Sequence, residues 1–166
     1  MSQNANENGK HQIEYVFADW EEQLEEVRQL FIEYAESLNV DLSFQNFEQE
    51  LRELPKRYGP PDGTVVIARV NGKSAGCAAL HRLSEEICEM KRLYVRDDFR
   101  GLGIGKELIT VILTEAVKRD YRFIRLDTLP TMGKAQSLYE SFGFYDVDPY
   151  VYNPIPGTRF LERKLD

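Results

Sequence analysis

Two rhythms of apolar and polar residues run along this chain. Ile13, Tyr15 and Phe17 alternate with polar neighbours, which predicts a strand over 12–18. From Asp19, a candidate N-cap, the rhythm changes. Trp20, Leu24, Val27, Phe31, Tyr34, Ala35 and Leu38 recur at steps of three and four, predicting a helix to about residue 38. Its opposite face carries Glu21, Glu22, Glu25, Glu26, Glu33 and Glu36 and reads as a solvated acidic face. Phe44, Phe47, Leu51 and Leu54 predict a second short helix, capped by Asp41 or Ser43 and stopped by Pro55. Residues 56–63 read as a loop.

The period-two pattern returns at 64–70 and 73–80, either side of Asn71-Gly72, a hairpin signature. Residues 87–95 predict a third strand of the same meander. Ile104, Leu108, Val111, Ile112 and Ala116 give a helix to about residue 119. A short strand at 122–127, a helix at 132–142 ending before Gly143, and strands at 144–147 and 158–165 complete the chain. Residues 150–157 between the last two read as a loop. This order does not alternate like a doubly wound sheet; it predicts a single α+β domain over 12–166. Residues 1–11 are polar, with nothing to bury, and are expected to be a disordered extension.

Composition narrows the classes. The 166 residues carry 21 Lys+Arg against 28 Asp+Glu, a net charge of −7, with 42% hydrophobic and 30% charged residues. That is globular composition. The acidity argues against nucleic acid and anionic lipid as partners. No apolar run approaches the roughly 20 residues of a membrane helix, and 1–10 lack a signal peptide's apolar stretch. Two cysteines are too few for a disulfide framework and fit a reduced, cytoplasmic protein.

Candidate chemistry concentrates in Arg100-Gly101-Leu102-Gly103-Ile104-Gly105-Lys106, between a predicted strand and a predicted helix. Alternating glycines let a ligand approach the backbone. The first amides of a helix have no internal partner and face outward with the positive end of its dipole, which makes an anion site. A dinucleotide fingerprint would need Gly at 106, where Lys106 stands; a P-loop would need Gly at 100 and Ser or Thr at 107, where Arg100 and Glu107 stand. Local charge supports an anion: Lys91, Arg92, Arg96, Arg100 and Lys106 meet only Asp97 and Asp98.

The stretch Arg100 to Gly105 resembles the R/Q-x-x-G-x-G/A motif of the GCN5-related N-acetyltransferases, the GNAT family. The preceding strand, Glu89-Met90-Lys91-Arg92-Leu93-Tyr94-Val95, is similar to the fourth strand of many bacterial members. Ala135 to Phe144 resembles the late A-x-x-L-Y-x-x-x-G-F segment. The resemblance covers about 12–166. It implies a mixed, mostly antiparallel central sheet flanked by helices, and acetyl-CoA held between splayed strands at 87–95 and 122–127. The backbone of Leu93, Tyr94 and Val95 would pair with pantetheine, and Arg100, Gly101, Leu102, Gly103, Ile104, Gly105 and Lys106 would hold the pyrophosphate. Leu93's amide would polarise the thioester carbonyl. No metal is implied. The acceptor is expected to be an amine on a small molecule or peptide, and a homodimer through the last strands is compatible with the pattern.

Tyr139 falls at the family's general-acid tyrosine; the structural alternative is an aromatic on the buried stripe with Leu138 and Phe142. Glu89 is the leading general base, through a water, against the alternative of a salt bridge to Lys91. Tyr94, Asp127 and Tyr150 are further polar candidates. One position departs from the family: Met132 stands where many members have a cofactor-contacting Asn. Cys77, Cys88 and His81 lack ligand spacing and read as structural. The acceptor pocket is expected from the first two helices, the 56–63 loop and Tyr150 to Gly157. The resemblance predicts acetyl transfer by direct attack in a ternary complex. Two alternatives stand beside it: a CoA-binding regulatory module without turnover, and transfer of a longer acyl group or to protein lysine.

Overall fold

The computed structural model describes the backbone of residues 2–5 and residues 11–166 in full. One twisted sheet of eight strands, in the order β1-β2-β3-β4-β5-β6-β8-β7, runs through the molecule. Its strands are β1 (Ser2–Ala5), β2 (Gln12–Phe17), β3 (Thr64–Val70), β4 (Lys73–Arg82), β5 (Ile87–Val95), β6 (Phe123–Thr128), β7 (Tyr145–Asp146) and β8 (Arg159–Lys164). All neighbours are antiparallel except β5 and β6, which run parallel for three residues only: Ile87, Cys88 and Glu89 against Phe123, Ile124 and Arg125. Beyond Glu89 the two strands separate.

The turns have local causes. Asn71 and Gly72 both adopt positive φ, 51° and 83°, as a primed hairpin turn requires. Asn71 also accepts the amide of Gln12 through its side chain at 2.9 Å, tying the hairpin to β2.

Helices cover both faces. On one lies α4 (Ile104–Lys118), whose Ile104, Leu108, Ile109, Ile112 and Ala116 are buried, with α5 (Gly133–Ser141) beside it. The other face takes α1 (Leu24–Leu38), α2 (Phe47–Arg52) and α3 (Leu54–Tyr58), through Val27, Leu30, Phe31, Leu54 and Tyr58. Burying each such side chain contributes about 1.5–3 kcal/mol. Among the described residues no helix is long and apolar enough to cross a membrane.

Four expectations change. Helix α1 starts at Leu24, not Asp19; Asp19 instead accepts the amide of Glu21, closing a turn ahead of the helix. Pro55 begins α3 rather than stopping α2, because a first-turn proline gives up no helical hydrogen bond; α3 therefore claims Lys56 to Tyr58 from the expected loop. The acidic face of α1 is partly engaged: Glu26 binds Arg69 and Ser74, and Glu33 binds Arg96 at 2.7 Å. Within the expected disordered extension, Ser2–Ala5 pairs with Gln12–Tyr15 of β2; residues 1 and 6–10 lie outside the described residues.

Candidate active site

A bulge in β5 shapes the site. Tyr94 opposes Cys77 and Lys91 opposes Ala79, so Arg92 and Leu93 together face the single residue Ala78. Arg92 sits in the left-handed region at φ 61°, which costs a non-glycine residue about 1 kcal/mol or more and persists only where its surroundings enforce it. They do. Arg92 is 3% exposed and donates through Nε and Nη2 to Glu50 on α2, both at 2.9 Å. Its Nη1 donates to Gln45 at 2.9 Å, and the guanidinium lies against the rings of Tyr34 and Phe47. Glu50's carboxyl is held below the usual carboxylate range by this guanidinium, against the upward push of burial.

The bulge also resets the strand's alternation. Before it, Cys88 and Met90 face α4; after it, Leu93 and Val95 do. Tyr94 and Arg96 turn instead toward α1, where Arg96 binds Glu33. Lys91 and Arg92 therefore both point to the α1–α2 side, meeting at Gln45.

Past the bulge the backbone of Leu93, Tyr94 and Val95 has no strand partner on the β6 side, the open edge that an added strand would use. A single turn of 3-10 helix at Asp97–Phe99 then leads into the glycine loop. Gly101 (φ 83°) and Gly103 (φ 77°) take conformations that side chains resist, and a Cβ on either would meet nothing within 4 Å: the space beside them is open. Among the described residues no amide from Gly101 to Lys106 donates to a backbone carbonyl. The loop therefore offers an array of unsatisfied donors at the start of a 15-residue helix. Arg100 and Lys106 flank it, both exposed.

Between the parted strands lies a cavity of about 30 Å³ that continues into the open cleft. Met90, Lys91, Arg92 and Leu93 line one side; Leu126, Asp127 and Thr128 of β6 line the other; Tyr34, Gln45, Met132 and Tyr139 close it. Tyr139 is buried, stacks edge-on against Phe144, and its hydroxyl has no hydrogen-bond partner among the described residues. Burial pushes its pKa well above that of an ordinary phenol, with the Tyr34 and Asp127 charges adding to the push. Asp127 accepts from Asn153 at 3.0 Å, and Asn153 in turn fixes its own loop by accepting from Ile155 and Thr158. Tyr152 of the same loop is 74% exposed and meets Phe44 edge-on, bridging the two sides of the cleft.

Glu89 stands at the apex where β5 and β6 part, one residue before the cavity lining begins. It is 2% exposed, and its two oxygens are taken by His81 Nε2 at 2.7 Å and the Tyr150 hydroxyl at 2.6 Å. The expected bridge to Lys91 is long, 4.0 Å. Burial pushes the Glu89 carboxyl up, but Lys91, His81 and Tyr150 together bring it down to about 2. Among the expected acceptor walls, 56–63 contributes nothing to this cavity: Tyr58 is fully buried against Phe31 and His81. Cys77 donates to the carbonyl of Arg92, supporting the bulge, and burial pushes both cysteine thiols up. Sequence reasoning missed Lys91, Gln45 and Thr128 as cavity residues. Only the bulge, which carries no sequence signature here, brings Lys91 and Arg92 to one side.

Comparison with known proteins agrees with this architecture. The profile of the Acetyltransferase (GNAT) family matches residues 24–144. The chain is 40% identical to an uncharacterized N-acetyltransferase of Schizosaccharomyces pombe, over 86% of this chain and 88% of the relative. It is 34% identical to an uncharacterized N-acetyltransferase of Dictyostelium discoideum, over 87% and 95%. Both relatives are eukaryotic, so the similarity does not single out a bacterial subgroup. In fold, a GNAT-family acetyltransferase of Staphylococcus aureus superposes with TM-score 0.76 at 22% identity, over 93% of this chain and 99% of that one.

Proposed function

Since the chain belongs to the GNAT family of acetyltransferases, we propose that it moves the acetyl group of acetyl-CoA to a primary amine by direct attack in a ternary complex. One observation carries the reading: the unpaired edge of β5 runs straight into a loop of unsatisfied amides at the start of α4. Pantetheine would add to Leu93, Tyr94 and Val95 as a strand does, and the pyrophosphate would accept from Gly101 to Lys106. Arg100 and Lys106 supply charge. Met132 lines the cavity without a hydrogen-bonding side chain, and so offers only apolar contact there.

The acceptor first loses a proton from its ammonium to a water. Its nitrogen then attacks the thioester carbonyl carbon; the C–N bond forms and the carbonyl electrons move to oxygen, facing the Leu93 amide. As the intermediate collapses the C–S bond breaks, the nitrogen passes its second proton to the Asp127 carboxylate, and the departing thiolate takes one from Tyr139; exchange with water then restores both side chains. A phenol whose pKa burial has raised stays protonated through neutral pH and is ready to donate. Asp127 is the carboxylate on the cavity wall, and we assign to it the direct contact with the acceptor nitrogen. Glu89, with both oxygens engaged and its carboxyl near 2, is a weak base reached only through a water. The proposed setting is the reducing cytoplasm, where Cys77 and Cys88, both free and buried, remain thiols.

Thiol release from acetyl-CoA, followed across amino acids, polyamines, arylamines and a lysyl peptide, tests the reading. Acceptor-dependent release supports it. Tight acetyl-CoA binding with no release for any acceptor would favour a CoA-binding module instead, and release only from longer acyl-CoA would reassign the donor.

A further inference from the structure

Lys91 is the cation of this cleft whose charge is least satisfied. Its side chain is 8% exposed and lines the cavity. An ammonium carries three donors, yet among the described residues Lys91 makes one long hydrogen bond, to Gln45 Oε1 at 3.4 Å, and one ion pair, to Glu89 Oε1 at 4.0 Å. Glu89 is already committed to His81 and Tyr150. The neighbouring cations differ. Arg92 has a forked pair with Glu50, and Arg125 has Glu162 at 2.8 Å. A buried ammonium without a well-placed hydrogen-bond partner is costly; burial lowers the pKa of Lys91, against the upward pull of the Glu89, Asp127 and Glu50 carboxylates at longer range.

One more unsatisfied donor lines the same cavity: the Thr128 hydroxyl is buried without a partner among the described residues. Across from Lys91, one oxygen of Asp127 accepts from Asn153 and the other has no partner there. The walls thus present a cation with spare donors and a carboxylate with a spare acceptor. A simple amine would answer only the second and would bring another positive charge toward Lys91. Water could serve one donor but could not neutralise the ammonium.

We infer that the acceptor is an amino acid or a similar amino-carboxylate, with Lys91 anchoring its carboxylate and Asp127 facing its amino group. A carboxylate is acceptor-only and takes several donors at once, which matches the Lys91 wall. This assignment rests on the acetyltransferase reading and makes Lys91 a specificity-determining residue.

The test compares kcat/KM for a panel of amino acids, each beside its amide and its decarboxylated amine, with acetyl-CoA saturating. The expected preference for the free carboxylate is at least tenfold in the wild-type enzyme. Lys91→Met should collapse the acid-to-amide ratio to about one, chiefly through KM, and Lys91→Arg should restore part of it. A wild-type enzyme that turns over amides and amines as well as the acids overturns the assignment while leaving acetyl transfer intact. So does a Lys91→Met enzyme that keeps the ratio, or one that loses kcat equally on acids and amides, since the latter would put Lys91 in the proton path. Should the variant fail to fold, wild-type inhibition decides: competition by an amine-free carboxylate but not by its amide supports the anchor, and equal or no competition overturns it. Absence of CoA release with every acceptor refutes acetyl transfer itself, and the acceptor assignment with it.

Discussion

Replacing Glu50 by alanine should cost far more than its place on a six-residue helix suggests. Glu50 is 2% exposed and its two oxygens complete the fork from Arg92, which is itself buried at the bulge. Glu50→Ala leaves a guanidinium out of water with only Gln45 and two aromatic rings for company. Breaking a buried pair from one side costs about 3–5 kcal/mol. For a domain of this size that lowers Tm by about 6–20 °C. The same change should lower kcat more than it raises KM for acetyl-CoA, because Arg92 holds the bulge that aims the Leu93 backbone into the cleft. Urea unfolding at pH 7 and steady-state thiol release measure both. The double variant Glu50→Leu/Arg92→Met separates them: apolar replacement of both partners should recover most of the stability but not kcat. The pH dependence has a defined sign. Glu50's carboxyl is held below its ordinary value, so the pair's stabilisation is present above that ordinary value and lost as pH falls through the folded one; the deficit of Glu50→Ala should narrow in acid. A Glu50→Ala protein within about 1 kcal/mol of wild type, or one with unchanged kcat, would refute the role given to this pair.

Glu89, with its carboxyl at about 2 against an ordinary 4.5, should contribute about 3 kcal/mol above pH 4.5. That contribution disappears as pH falls toward 2, so the stability gap between wild type and Glu89→Gln in urea should shrink over this window; a constant gap would argue against the network. Tyr139→Phe should reduce kcat by about 10²-fold or more with acetyl-CoA affinity kept, read by single-turnover kinetics beside calorimetric binding. Gly103→Ala should cost about 1 kcal/mol of stability from its positive φ. It should weaken CoA binding further, since a methyl enters the open space beside the amides; unchanged CoA affinity would move the pyrophosphate elsewhere.

The periodic parts of the fold were legible because their causes are local. The Asn71-Gly72 hairpin, the apolar stripe of α4 and the glycine loop each carry their signal within a few residues. What escaped depended on partners distant in sequence. Pro55 can stop one helix or start another, and only the packing of Tyr58 against Phe31 and His81 decides. Glu89 read as a base because an isolated carboxylate in a strand is expensive. It is not isolated: His81 stands directly opposite it on β4 and Tyr150 arrives from a loop 61 residues later. Lys91 read as that carboxylate's partner and as one of five local cations, not as a cavity residue, since nothing in an alternating strand announces an inserted residue.

That inserted residue makes β5 a strand written in two phases. Up to Lys91 its odd positions serve the α1 side, and from Tyr94 onward its even positions do. A deletion anywhere between the two segments would not merely shorten the strand. It would exchange the tenants of both faces downstream, sending Leu93 and Val95 toward Glu33 and bringing Tyr94 and Arg96 into the apolar layer beneath α4. Tolerance to substitution along β5 should therefore invert at Arg92, with a polar residue accepted at one parity before it and at the opposite parity after it. Related chains aligned across this strand will keep their chemistry only if they keep its frame, so one gap placed here would mark a protein with a differently furnished cleft.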